Sequence, residues 1–332
     1  MKRLLVLLFA AVPALAQQVA STAHGIVVAH HGAVELFNAK TLDVVWNSGG
    51  VLKPTQIVAG DDRVAVLDAL SNEVRVVELG TGRGTTIQCG ETPVDGVFHG
   101  RALYLLERDA RALERIGADG AGASITIAAD PSFLRAANGR LYVYARTAGL
   151  LQEITTMPFA VARSVTVAPF ASDLQLDGDN AYLVYPREAR MRVIALSTMK
   201  SAGETAVGAV PVALAFASSH TLAVADPSAK RVWMIEGAQS FRQAFLRGFF
   251  RGLIGLGIRP NRNSDFPTGV DRVLVRGNLL FAYDTSSETL YRVVKAKSTA
   301  VAQGIPPQSF AITSEAVFVW DDAVRRLHRI AN

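Results

Sequence analysis

The chain has 332 residues, half of them hydrophobic and 19% charged, with a formal net charge of +5. That balance is too mild to point to nucleic acid, and no broad Lys/Arg stripe runs along the chain. The single cysteine, Cys89, excludes an intramolecular disulfide and any CxxC zinc or redox pair, so stability has to come from burial.

The first residues read as a processing signal. Lys2 and Arg3 form a basic start, Leu4 to Val12 an apolar run, and Pro13 precedes Ala14-Leu15-Ala16, a small-residue site that predicts cleavage after Ala16. The apolar run is too short for a bilayer crossing, which takes about 20 residues. The expectation is export to the periplasm or the exterior, with residues 17–332 as one monomeric domain. No cysteine follows the cleavage site to carry a lipid.

Downstream, short hydrophobic strands close on a polar or punctuating residue at a regular interval. The marks are His30, Asp68, Glu107, Arg146, Pro186, Asp226, Asp284 and Asp321. They recur about every 39 residues, a period that belongs to propeller blades. Residues 171–208 show one unit plainly. Asp173 to Asp177 alternates, Gly178-Asp179-Asn180 turns, Ala181 to Tyr185 is a second run, Met191 to Leu196 a third, and Glu204 to Gly208 a weaker fourth. A four-stranded meander cannot cover both of its faces, but radial stacking of such sheets does so. The fold expected is therefore all-β, a β-propeller of eight four-stranded blades, with seven blades as the rival count. The strands make eight fours minus one. The missing strand is the outermost of the last unit, and residues near Gln17 to Ala20 could supply it and close the ring.

One interval, Asp226 to Asp284, is longer by about 19 residues. The excess is read as an insertion over 239–265 between blades six and seven. At a helical period, Phe241, Phe245, Leu246, Phe249, Phe250, Leu253 and Leu256 share one arc, with Arg247 and Arg251 opposite. Ser240 is a suitable N-cap and Pro260 a stop, so an amphipathic helix is expected here. Its glycines, among them Gly248 and Gly252, cost about 1 kcal/mol each against alanine, so it needs a surface to pack on. Three surfaces are open: the propeller itself, a protein partner, or an anionic membrane surface. If the insertion follows a fourth strand, it leaves on the face of the acidic turns, and its arginines could pair with them.

Asp226-Pro-Ser-Ala-Lys-Arg231-Val232 resembles the NHL and YVTN types of propeller repeat, in which a strand ends in Ala-Asp and Arg-Val opens the next. Leu67-Asp68 with Val74-Arg75-Val76 is a looser copy, as are Asp284 with Arg292-Val293 and Asp321 with Arg326-Leu327. Val34 to Trp46 resembles the quinoprotein-type repeat, which ends in a docking tryptophan. That family adds a cofactor site with vicinal cysteines, from which a chain with one cysteine departs. The pattern is also similar to the eight-bladed outer-membrane assembly scaffold of bacteria, a lipid-anchored protein. The resemblance implies the β-propeller superfamily and no single activity.

Asp68, Glu107, Asp226, Asp284 and Asp321 should fall in successive turns on one face. They either form an acidic rim for a cation or basic ligand, or bond backbone N–H groups and stabilise the turns, as recurrence in equivalent turns suggests. The six histidines are scattered without a zinc spacing, so no metal site is expected. Neither a G-x-S-x-G elbow nor a Walker loop occurs. No cofactor is implied. The reading is an exported, non-catalytic scaffold for a protein or cell-envelope partner, with possible membrane-surface contact through 240–258. The alternative is a propeller hydrolase or lyase with its site at the central channel. Contact residues expected in the insertion are Phe241, Phe245, Arg247, Phe249, Phe250, Arg251 and Leu253.

Overall fold

The computed structural model describes residues 18–236 and 262–331, apart from 52, 119, 121, 219–220, 277–278 and 295–296. Its strands form eight antiparallel sheets, seven of four strands and one of three, each in strict chain order. The fold is an eight-bladed β-propeller. The first sheet shows the plan: β1 (Val19–Thr22), β2 (Gly25–His30), β3 (Ala33–Phe37) and β4 (Val44–Gly49) pair in sequence. Only one helical turn occurs among the described residues, a 3-10 turn at Pro186–Glu188.

Burial explains why the second strand of each blade is the most legible. Such a strand is covered on both sides by neighbouring blades, so it reads as a continuous apolar run rather than an alternation. In blade two, Val64 and Val66 point into the seam with blade one, and Ala65 and Leu67 into the seam with blade three. A buried Val or Leu contributes about 1.5–3 kcal/mol, and every blade repeats this two-sided burial. The fourth strands lie at the rim and are largely exposed, as in Gly84–Gln88.

Two expectations are corrected. The residues near Gln17 to Ala20 do not complete blade eight. Val19–Thr22 is the first strand of blade one, paired with β2 from Val19↔Val28 to Thr22↔Gly25. Its alternation requires that place, because Val19 packs into the seam with blade eight and Ala20 into the seam with blade two. Blade eight has three strands among the described residues, β29 (Phe310–Ile312), β30 (Ala316–Asp321) and β31 (Arg326–Ala331). The ring closes instead by packing of Val19, Ile26, Val28 and Phe37 on Phe318, Trp320 and Leu327. Two hydrogen bonds join the same seam, Gln18 N to Gln308 O at 2.9 Å and Ser21 Oγ to Ile312 O at 3.2 Å.

The insertion does not lie between blades six and seven. β24 (Arg262–Asp265) pairs with β23 (Arg231–Glu236) and is the fourth strand of blade six. The extra residues therefore interrupt the third-to-fourth turn of that blade. In a meander, this turn shares a face with the first-to-second turns and lies opposite the second-to-third turns. The acids occupy that opposite face, so the expected Arg-to-Asp pairing does not follow from the topology. The expected helix, with Phe241, Phe245, Arg247, Phe249, Phe250, Arg251 and Leu253, lies outside the described residues.

Candidate functional site

All five acids sit where a second strand ends, and their carboxylates are turned onto this chain's own donors. Asp68 accepts from Leu70 N and Ser71 N in its turn and from Lys53 N, just before the blade's first strand. Asp226 does the same with Ala229 N, Ala209 N and Val210 N, and takes the Trp233 indole N–H. Asp284 accepts from Ser286 N and from the Ser286 and Ser287 hydroxyls. Asp321 accepts from Ala323 N and Val324 N. Each of these four aspartates thus closes a turn, and Asp68 and Asp226 also pin the incoming connection to it. Burial pushes the Asp68 and Asp284 carboxyls up, but the hydrogen bonds outweigh it and hold both below the ordinary range.

Glu107 occupies the same position with a different environment. It is 3% exposed and accepts from Gly90 N at 2.7 Å. Gly90 is the residue the carboxyl tolerates, because a Cβ there would lie 2.2 Å from Glu107 Oε2. The neighbouring carboxyl is Glu114, whose Oε2 is buried without a partner. Burial, then contact with Glu114, pushes Glu107 up to about 8 against the pull of the Gly90 bond. Burial and the same two carboxylates push the nearby Cys89 thiol up to about 12, which makes it a poor nucleophile. In blade one the position belongs to His30. Its ring stacks on Trp320 at 5.3 Å, and its Nε2 lies 3.2 Å from Glu35.

The central channel is walled by the first strands: β1, β5 (Gln56–Ala59), β9 (Pro93–His99), β13 (Pro131–Ala137), β17 (Asp173–Leu176), β21 (Ala213–Ser218), β25 (Arg272–Arg276) and β29. Blades two to six carry a polar arc. Gln56 Nε2 donates to Asp95 Oδ1 at 3.1 Å, and Asp95 Oδ2 accepts from Leu134 N and Arg135 Nη1, both at 2.9 Å. Arg135 Nε continues to Leu174 O at 3.1 Å, and its Nη2 lies 4.0 Å from Asp173. Asp173 accepts Leu214 N at 2.8 Å. Burial raises Asp173 above the usual carboxylate range, opposed by Arg135 and by the Leu214 and Leu174 amides. Each tie crosses from one blade to the next.

Sequence reasoning missed this arc, although Gln56, Asp95, Arg135 and Asp173 recur at the blade period. The arc can hold neighbouring blades in register, and its polar atoms are largely spent on that. No group of three or more His, Cys, Asp or Glu able to hold a metal ion occurs among the described residues. The docking tryptophan suggested for blade one does meet its neighbour. Trp46 Nε1 donates to Leu79 O at 2.8 Å, and its ring rests on Gly82, where φ is +72° and a Cβ would approach to 2.8 Å.

No family model matches the chain, and no curated protein does. Solved structures match closely in shape. The computationally designed protein Ika8 superposes with a TM-score of 0.74 at 10% identity, over 96% of this chain and 97% of that one. BamB from Moraxella catarrhalis gives 0.66 at 9% identity, over 95% and 96%. Virginiamycin B lyase from Staphylococcus aureus gives 0.60 at 12% identity, over 83% and 94%. At such identities the likeness is one of fold, and propellers of one shape host different tasks.

Proposed function

We propose that this chain is an exported scaffold that binds a protein or cell-envelope partner through the face bearing the third-to-fourth turns. The observation behind this reading is the root of the insertion. Residues 237–261 depart from blade six at Glu236 and rejoin it at Arg262, on the face away from the acid-closed turns. Their sequence holds four arginines, four phenylalanines and no acid. Such a composition suits a partner surface that is apolar and anionic. Phe241, Phe245, Arg247, Phe249, Phe250, Arg251 and Leu253 are the proposed contacts. The basic-then-apolar sequence of residues 1–16, which matches the pattern of a cleaved leader, supports a periplasmic or extracellular site of action. The likeness to BamB and to a lyase, at 9–12% identity, is one of fold, and a catalytic site at the channel stands as the alternative.

The test is replacement of residues 238–260 by a short Gly-Ser linker. The expected result is an intact, soluble propeller that no longer sediments with anionic lipid vesicles or with envelope fractions that retain the wild-type chain. Retention of the variant at wild-type levels would count against the reading, and so would aggregation of the variant. Turnover that is lost on changing channel residues, with the insertion left intact, would favour the alternative.

A further inference from the structure

Opposite the polar arc, one stretch of the channel is lined mainly by apolar side chains, with Ser21 polar and Arg276 charged. Ile57, Leu274, Phe310 and Ile312, with Ala20, line a cavity of about 210 Å³ between the first strands of blades seven, eight, one and two. Arg276 is the only charged residue of that lining. Its guanidinium is fixed in place, since Nε donates to Ile312 O and Nη1 to Val275 O, each at 3.2 Å. Among the described residues no carboxylate lies within ion-pair reach of it. Of the acids on the first strands, Asp95 and Asp173 are held in the polar arc by Arg135 and by backbone amides, and Asp271, just before β25, is turned onto the Thr285 amide and hydroxyl. Arg276 is exposed, so the cation stands where a solute can reach it.

We propose that this arc of the channel binds a small monocarboxylate with an apolar tail, its carboxylate on Arg276 and its tail against Ile57, Leu274, Phe310 and Ile312. A pre-positioned guanidinium with N–H groups still to offer favours a planar carboxylate, through charge-assisted bonds that need little reordering. The cavity holds roughly seven water-sized volumes of about 30 Å³ each, which matches a short aliphatic acid rather than a drug-sized ligand. The ligand class follows from this pairing of one cation with apolar walls and is independent of the role proposed for the insertion.

The probe is hexanoate, titrated into the full-length mature chain and followed by the methyl NMR signals of Ile57, Leu274 and Ile312, with hexanol and hexylammonium as controls. Saturable shifts confined to these methyls are expected with hexanoate, weaker ones with hexanol and none with hexylammonium. Arg276→Gln should reduce hexanoate affinity roughly tenfold or more, the worth of a charged hydrogen bond, and leave hexanol unchanged. Equal affinity for hexanol and hexanoate in the wild-type chain would overturn the proposal. So would shifts scattered over the surface, which can be read in the wild type whether or not the variant folds.

Discussion

Two parts of one ring are held together by different means. Between blades three and six, buried carboxylates cross the seams, with Asp95 bound to Leu134 N and Arg135, and Asp173 bound to Leu214 N. At the seam between blades eight and one, the contact is mostly apolar, with Trp320 and Phe318 packed on Phe37, Ile26 and Val28. Blades of one geometry therefore need not share one adhesive. A carboxylate tie is directional and fixes the register of neighbouring strands. An apolar seam gains from area, and it serves the place where the two ends of the propeller meet and the last blade has three strands among the described residues.

The contrast can be broken most strongly at Trp320. Trp320→Ala removes the ring on which both His30 and Phe37 rest, and it should cost about 3–5 kcal/mol in urea unfolding. Asp95→Ala should cost less, about 1–3 kcal/mol, because it strands the Leu134 amide and part of the Arg135 guanidinium. A double-mutant cycle with Arg135→Ala should then return a coupling energy of about 0.5–3 kcal/mol, whereas additive losses would remove Arg135 from the tie. Glu107 sharpens the comparison through pH. Its carboxyl is raised from 4.5 to about 8 in the folded chain, so the folded state holds the proton more tightly than the unfolded one. Stability should be greatest below pH 4.5 as far as this group is concerned, fall as pH rises, and level off above about 8. Glu107→Gln should flatten that slope in thermal melts taken across the range. At the small end, Val45→Thr on the exposed rim should move stability by no more than about 0.5 kcal/mol.

Much of the architecture was legible in the sequence because the second strands are covered on both faces. Runs such as Val64 to Leu67 and Ala181 to Tyr185 carry the period without ambiguity. The fourth strand of blade six was not legible. Arg262-Asn-Ser-Asp265 is short and polar, with no β-branched or aromatic residue to mark it, so it merged into the insertion. The first strand suffered similarly, since Val19 to Thr22 could as well have ended one blade as begun another. The acids were visible, but the Lys53, Gly90, Ala209 and Val210 amides they bind are backbone groups, which no sequence pattern displays. The polar arc shows what attention to the period alone could have found. Gln56, Asp95, Arg135 and Asp173 are spaced like the blades, yet they lie on first strands, whereas the conspicuous apolar runs are the second strands.

Amide hydrogen exchange through β1, in the wild-type chain and in Trp320→Ala, tests the closed ring most directly. The account predicts that the amides of Val19 to Thr22 are protected in the wild type as strongly as those of β13 and β17. In the variant they should exchange faster together with β29 and β30, while the carboxylate-tied strands keep their protection. Free exchange of β1 in the wild-type chain, or an equal loss of protection in every blade of the variant, would contradict it.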